Sequence, residues 1–158
     1  MSAKKAFKLL MLSAMYENGG NTTHRLFDGH PSLYVYPFES IIGTKYVNDF
    51  LSSVIPYRYR WPVIPSHLEP KAIYSSIIDL EMKTRLLTPE VSKFKNADLI
   101  LDNKDRERFF CQLLKNQFPS RVQVVKAFFQ STFMAWKNYH TKPNKPWYVG
   151  YNPAIIID

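Results

Sequence analysis

A chain of 158 residues, 46% hydrophobic and 15% aromatic, has the composition of one packed domain and excludes a disordered protein. Lys and Arg outnumber Asp and Glu by 21 to 13, and the net charge of +8 favours polyanions such as nucleotides, sulfated glycans, nucleic acid or anionic lipid. The single cysteine, Cys111, excludes an internal disulfide framework and a cysteine-based zinc cluster, and points to a reducing compartment.

The first element is "AFKLLMLSAM", a short continuous apolar run ending at Met15, as a buried parallel strand would be. Lys4, Lys5 and Lys8 give it the look of a signal peptide. Lys8 interrupts the apolar core, however, and no small-x-small cleavage pair follows, so a buried strand accounts better for the same residues. No run reaches the ~18 apolar residues needed to span a bilayer. The expectation is a cytoplasmic protein with no membrane partner.

"TTHRLFDGHP" reads as a short helix, with Asn21 or Thr22 as its cap and Gly29-His30-Pro31 as its end. "SLYVYPF" has the alternating, β-rich character of a second strand. Strand, glycine-bearing loop, helix and strand make a βαβ unit, which predicts an α/β fold with a parallel sheet. "IPYRYRWPVIPSHLEP" places Pro56, Pro62, Pro65 and Pro70 among Tyr57, Tyr59 and Trp61, so regular helix is excluded there. It is either a surface connection or part of a substrate mouth. Arg58 and Arg60 either stack and pair with a sugar or base, or are ordinary amphipathic surface residues.

"KAIYSSIIDLEMKTRLL" looks helical throughout. Thr88 as N-cap, Pro89 at the first helical position and Glu90 in the first turn predict a further helix over "TPEVSKFKNADLIL". "DRERFFCQLLKNQF" and "SRVQVVKAFFQSTFMAWKNYH" are the clearest helices. In the second, Val122, Val125, Phe129, Phe133 and Trp136 recur at three- and four-residue spacing and predict one apolar stripe. Cys111, inside the first, reads as a small buried hydrophobe. "TKPNKP" breaks the chain, and "WYVGYNPAIIID" follows, with "AIIID" as a buried-strand run. His67 and His140 have no partner at ligand spacing, so no metal is expected.

The loop "NGGNTT" is the first place where chemistry enters. Between a parallel strand and a helix, backbone N–H groups point at whatever lies above the strand's carboxyl end, and glycines let an anion approach closely. A nucleotide-hydrolysing P-loop needs a lysine after its last glycine. None follows Gly19-Gly20, and Thr22 and Thr23 take the hydroxyl positions, so an ATPase or GTPase is not expected. On spacing alone the loop is either an anion cradle or a tight turn that starts a helix.

"NGGNTTHRLFDGHPSLYVYPFE" resembles the opening of the sulfotransferase family, in which a P-R-S-G-T-T-like 5′-phosphosulfate loop precedes an apolar helix ending in "LLD-small-HP". Leu26, Phe27, Asp28, Gly29, His30 and Pro31 match that ending. Tyr16 to Asn21 fall on the P-R-S-G-T-T positions, where Gly19 matches outright, Glu17 replaces the basic residue, and Gly20 and Asn21 replace the threonines. The likeness is to a variant with an N-G-G-N loop. "PWYVGYNPAIIID" resembles the later V-x-K-T-P segment through Val149 and Pro153, with Tyr151 and Asn152 in place of Lys and Thr. The two ends together cover roughly a third of the chain.

The resemblance implies a single P-loop-like domain of parallel sheet and flanking helices, with a helix-rich insertion over about 44–140. It implies sulfuryl transfer from 3′-phosphoadenosine 5′-phosphosulfate to a hydroxyl acceptor such as a carbohydrate, without a metal and without nucleic acid as partner. The alternative is a non-catalytic phosphate-, sulfate- or nucleotide-binding module. Asn18, Gly19, Gly20, Asn21, Thr22 and Thr23 would hold the donor's anionic end. Glu39 takes the place of the family's acidic base, unless it caps the helix that follows; His24 is a charge-stabilising candidate near the loop; and His30 reads as a turn histidine. No segment resembles the R-D-P unit that holds the 3′-phosphate. A truncated enzyme, a chain that works with a second polypeptide, and a non-catalytic relative all fit that gap.

Overall fold

In the computed structural model, residues 7–13, 19–40, 42, 65, 67–115, 118–140 and 147–152 are described. Three parallel strands, β1 (Leu9–Ser13), β2 (Leu33–Glu39) and β3 (Trp147–Asn152), form a sheet in the order β1-β3-β2. The chain therefore passes over the central position, lays down β2, and returns to insert β3 between its first two strands. The α/β class and the parallel sheet are as the sequence predicts, although β1 and β2 do not pair with each other: each pairs with β3. β3 is the strand buried on both edges, and its core residues Val149 and Gly150 are fully enclosed.

Side chains of β3 alternate between the two sheet faces, as a strand's must. Tyr148 and Gly150 meet the helical face, and Tyr151 meets helix α1 (Gly20–Leu26). A Cβ on Gly150 would lie 2.6 Å from the Met11 sulfur and 3.0 Å from Phe129 Cζ, so only glycine lets the sheet and the helix above it approach this closely.

The helical face carries α2 (Pro70–Ile77), α3 (Leu80–Leu87), a 3-10 turn at Pro89–Val91, α4 (Asn103–Leu113) and α5 (Arg121–Ala135). α5 starts with a capping box: Ser120 Oγ accepts from the Gln123 amide, and the Gln123 side chain accepts from the Ser120 amide. Its buried residues run from Val124 to Ala135 around most of the helix, whereas Val122 is 69% exposed. The predicted single stripe is thus too narrow. Ser131 and Thr132 are buried because their hydroxyls donate back to the Phe128 carbonyl, 3.0 and 2.9 Å away. Tyr36, Phe128 and Phe129 of this layer form the centre of the core, with Ile73, Tyr74 and Phe110 around them. The described part of the stretch 44–140 therefore supplies much of the domain's own core.

Two further expectations are corrected. "KAIYSSIIDLEMKTRLL" is two helices, interrupted where Ile78 and Asp79 adopt extended backbone. The break turns the Asp79 carboxylate into the core, where it is fully buried. "TPEVSKFKNADLIL" forms only the 3-10 turn before irregular chain. There Ser92 and Glu81 side chains take backbone amides that a helix would use: Lys93 N–H donates to Glu81 and Phe94 N–H to Ser92, each at 3.1 Å.

Candidate functional site

In open α/β sheets the crevice beyond the carboxyl ends of the strands is where ligands sit. Here β1, β2 and β3 end at Ser13, Glu39 and Asn152 on one edge. A cleft of about 730 Å³ opens beside that edge, walled by α1, the second half of β2, α3 and the irregular chain of residues 91–99. Arg25 and Lys93 are the cations of its wall and Asp28, Glu39, Glu81 and Asp98 the carboxylates; Asn21, His24 and Tyr151 add neutral polar groups, and Phe38, Phe94 and Trp136 much of the aromatic wall.

An irregularity in β2 positions Glu39. The β2–β3 register runs evenly from Leu33 to Val35 and resumes only at Glu39↔Tyr151. The interruption contains Pro37, which has no amide to give to a ladder. Glu39 and Leu12 both pair with Tyr151 from opposite sides, so two inter-strand spacings place their backbones about 10 Å apart. The carboxylate side chain is 43% exposed and its Oε1 lies 3.8 Å from Lys93 Nζ. The segment it was expected to cap lies outside the described residues.

Gly19 is the N-cap of α1 at φ 84°, a left-handed conformation that favours glycine, and no side chain caps the helix. Its carbonyl accepts the Thr23 amide at 2.9 Å and the Thr23 hydroxyl at 3.2 Å. The expected Asn21 or Thr22 cap is thus replaced by a glycine whose backbone alone turns the chain. Gly20 opens the helix, Asn21 reaches the cleft, and Thr22 is exposed. Asn18 and Glu17 lie outside the described residues, as do Arg58, Arg60 and the "AIIID" run. Gly29, at φ 75°, and the His30 ring nitrogen that accepts the Ser32 amide at 3.1 Å make the "DGHP" turn, in keeping with a turn histidine.

His24 stacks on Tyr151 with ring centroids 5.6 Å apart. Burial lowers its pKa below the usual 6.5, against the opposing pull of Asp28, so the ring is neutral at pH 7. His24 therefore lines the cleft with a neutral ring whose Nε2 is buried and without a hydrogen-bond partner among the described residues. Burial likewise raises the Cys111 thiol, which packs against the core as a small hydrophobe.

Beneath the cleft floor lies a charged cluster that sequence reasoning missed. Arg106 of α4 donates from Nη1 to Asp79 at 3.0 Å and from Nη2 to the Tyr36 hydroxyl at 2.8 Å; Tyr36 in turn donates to Asp79, and all three are fully buried. The guanidinium also lies 4.4 Å from the Phe128 ring centre. Desolvation opposes the arginine's charge, but Tyr36, Asp79 and Tyr74 outweigh it and the pKa is raised. Burial pushes the Asp79 carboxyl up, with Arg106 opposing the shift. The available signal was spacing: Arg106, Phe110 and Leu114 fall at i, i+4 and i+8 on the buried stripe of α4, so the arginine holds a core position.

Among the described residues, no group of three or more His, Cys, Asp or Glu could hold a metal ion, and no helix is long and apolar enough to cross a membrane. No family model, curated protein or solved structure matches this chain.

Proposed function

We propose that the protein is a sulfotransferase-like enzyme that moves a sulfuryl group from 3′-phosphoadenosine 5′-phosphosulfate to a hydroxyl acceptor such as a carbohydrate. The "LFDGHP" resemblance names the chemistry. The observation that carries the reading is the cleft at the carboxyl edge of the sheet, which α1, following the glycine loop, and Glu39 both line. The donor's sulfate end lies at Asn18 to Thr23, and the acceptor occupies the cleft against Phe94 and Trp136. The acceptor oxygen attacks sulfur in line, the sulfur–oxygen bond to the donor phosphate breaks, and the hydroxyl proton passes to Glu39. Amide donors and cationic groups are needed to stabilise charge on the transferring group.

Calorimetric titration with 3′-phosphoadenosine 5′-phosphate is the direct test. Saturable binding to the wild type is expected. Glu39→Gln is expected to bind equally and to lose about 10²–10⁴-fold in turnover, the usual worth of a general base. Absent nucleotide binding, or full turnover by the variant, would overturn the assignment.

Two observations favour the second reading, a non-catalytic phosphate- or sulfate-binding module. Glu39 is already paired with Lys93, and Glu17 stands where the family loop is basic. That reading predicts nucleotide binding with no sulfuryl transfer by the wild type.

A further inference from the structure

The donor loop departs from the loop it resembles in charge: no lysine follows Gly19-Gly20, and the position that is basic in the family is Glu17. A transferring sulfuryl group needs positive charge close by, and backbone amides alone give partial charges. His24 cannot supply it, because burial holds its ring neutral. Another element must.

We propose that Lys93 is that cation: it exchanges its Glu39 partner for the donor's sulfuryl oxygens when the donor binds. This rests on the sulfotransferase reading above. The fold brings Lys93 to the same cleft as Asn21, His24 and Glu39 although it lies 54 positions beyond Glu39 (93 − 39). Its base is held and its arm is free. The backbone amide of Lys93 donates to Glu81 at 3.1 Å, and the neighbouring Ser92 hydroxyl donates to the same carboxylate at 2.5 Å. On the other side Phe94 packs edge-to-face on Phe38, with ring centroids 5.2 Å apart. The side chain beyond that anchored backbone is 75% exposed and touches Glu39 only at 3.8 Å.

An exposed pair of this length is weak and readily exchanged. A doubly anchored loop with an exposed cationic arm suits a group that must reach an anion only when one is present. The exchange has a second effect. Leaving Glu39 frees that carboxylate to accept the acceptor's proton, so one movement of Lys93 both neutralises the donor and releases the base. Arg25 also lines the cleft, but no contact ties its charge to Glu39.

The test separates this assignment from the reading it rests on, because the two nucleotides differ only in the sulfuryl group. Binding of 3′-phosphoadenosine 5′-phosphosulfate and of 3′-phosphoadenosine 5′-phosphate is measured calorimetrically, without acceptor, for the wild type, Lys93→Met and Lys93→Arg. The proposal expects Lys93→Met to bind the sulfated donor at least tenfold more weakly than the wild type, to bind the unsulfated nucleotide unchanged, and to keep the wild-type melting temperature. Lys93→Arg should retain most of the donor affinity. If Lys93→Met weakens both nucleotides equally, or neither, the role of Lys93 is overturned while the donor site stands. If the wild type binds neither nucleotide, both fall.

Discussion

Replacing Arg106 with methionine should remove the one cation in the buried cluster, and with it the guanidinium over the Phe128 ring, while keeping an unbranched apolar stem. The Asp79 carboxylate, fully buried, then retains only the Tyr36 hydroxyl. Breaking a buried pair from one side costs about 3–5 kcal/mol, because the remaining charge is left uncompensated. In a domain of this length that corresponds to roughly 6–20 °C in melting temperature. The pH dependence is diagnostic. Burial already raises the Asp79 pKa above the unfolded value, and Arg106 is what opposes that rise, so the variant's carboxyl moves higher still. A carboxyl with a raised folded pKa disfavours folding as pH climbs from the unfolded pKa through the folded one. The deficit of the variant is therefore full at neutral pH and shrinks on acidification, once Asp79 can bind its proton. Asp79 Oδ1 and Arg106 Nε have no hydrogen-bond partner among the described residues, so the cluster is incompletely satisfied and its net worth is small. Tyr36→Phe/Asp79→Leu/Arg106→Met should then lie within about 1 kcal/mol of the wild type, since apolar replacement of a whole buried network is often neutral. Urea unfolding at pH 5 and pH 7.5 reads all of this. A deficit in Arg106→Met that is independent of pH, or a triple variant as unstable as the single one, would refute the reasoning.

The remaining predictions concern the sheet and the loop. Gly150→Ala places a methyl within 3.0 Å of Met11 and Phe129 and should destabilise by about 1–3 kcal/mol in urea unfolding, as overpacking does. Gly19→Ala meets open space but must hold φ near 84°, which should cost about 1–2 kcal/mol, with no change in the helix content seen by circular dichroism. His24 has a folded pKa below its unfolded value, so the unfolded chain binds the proton more readily and stability is lost as pH falls from 6.5 through the lowered value. His24→Phe keeps a ring on Tyr151 and should show a shallower loss over that window; an identical slope in both proteins would contradict the burial argument.

The parts of the fold legible in the sequence were those fixed by local pattern. The apolar run at Leu9–Ser13, the β-rich Leu33–Glu39 and the long apolar periodicity of Arg121–Ala135 each mark an element, and a parallel sheet follows from the strand–helix–strand order. The central strand Trp147–Asn152, with which both other strands pair, is not marked by local pattern, which puts the strand run at "AIIID", outside the described residues. What escaped was decided by tertiary partners. Asp79 looks like a mid-helix polar residue, and its break makes sense only once Arg106 and Tyr36 are beside it. "TPEV" carries good helix-start residues, yet Glu81, eleven positions before Ser92, takes the neighbouring hydroxyl and amide. In the site, Asn21, His24 and Glu39 were named from sequence and line one cleft. Lys93 was not, because nothing local distinguishes it from other exposed lysines; only the chain's return past β2 brings it to Glu39.

Under the proposed function, the cleft beside the glycine loop receives a phosphosulfate nucleotide. An amide-resolved NMR titration with 3′-phosphoadenosine 5′-phosphate tests it most directly. Saturable shifts concentrated at Gly19 to His24 and at Tyr151 are expected. Shifts confined to the far side of the sheet, or none up to millimolar nucleotide, would contradict it.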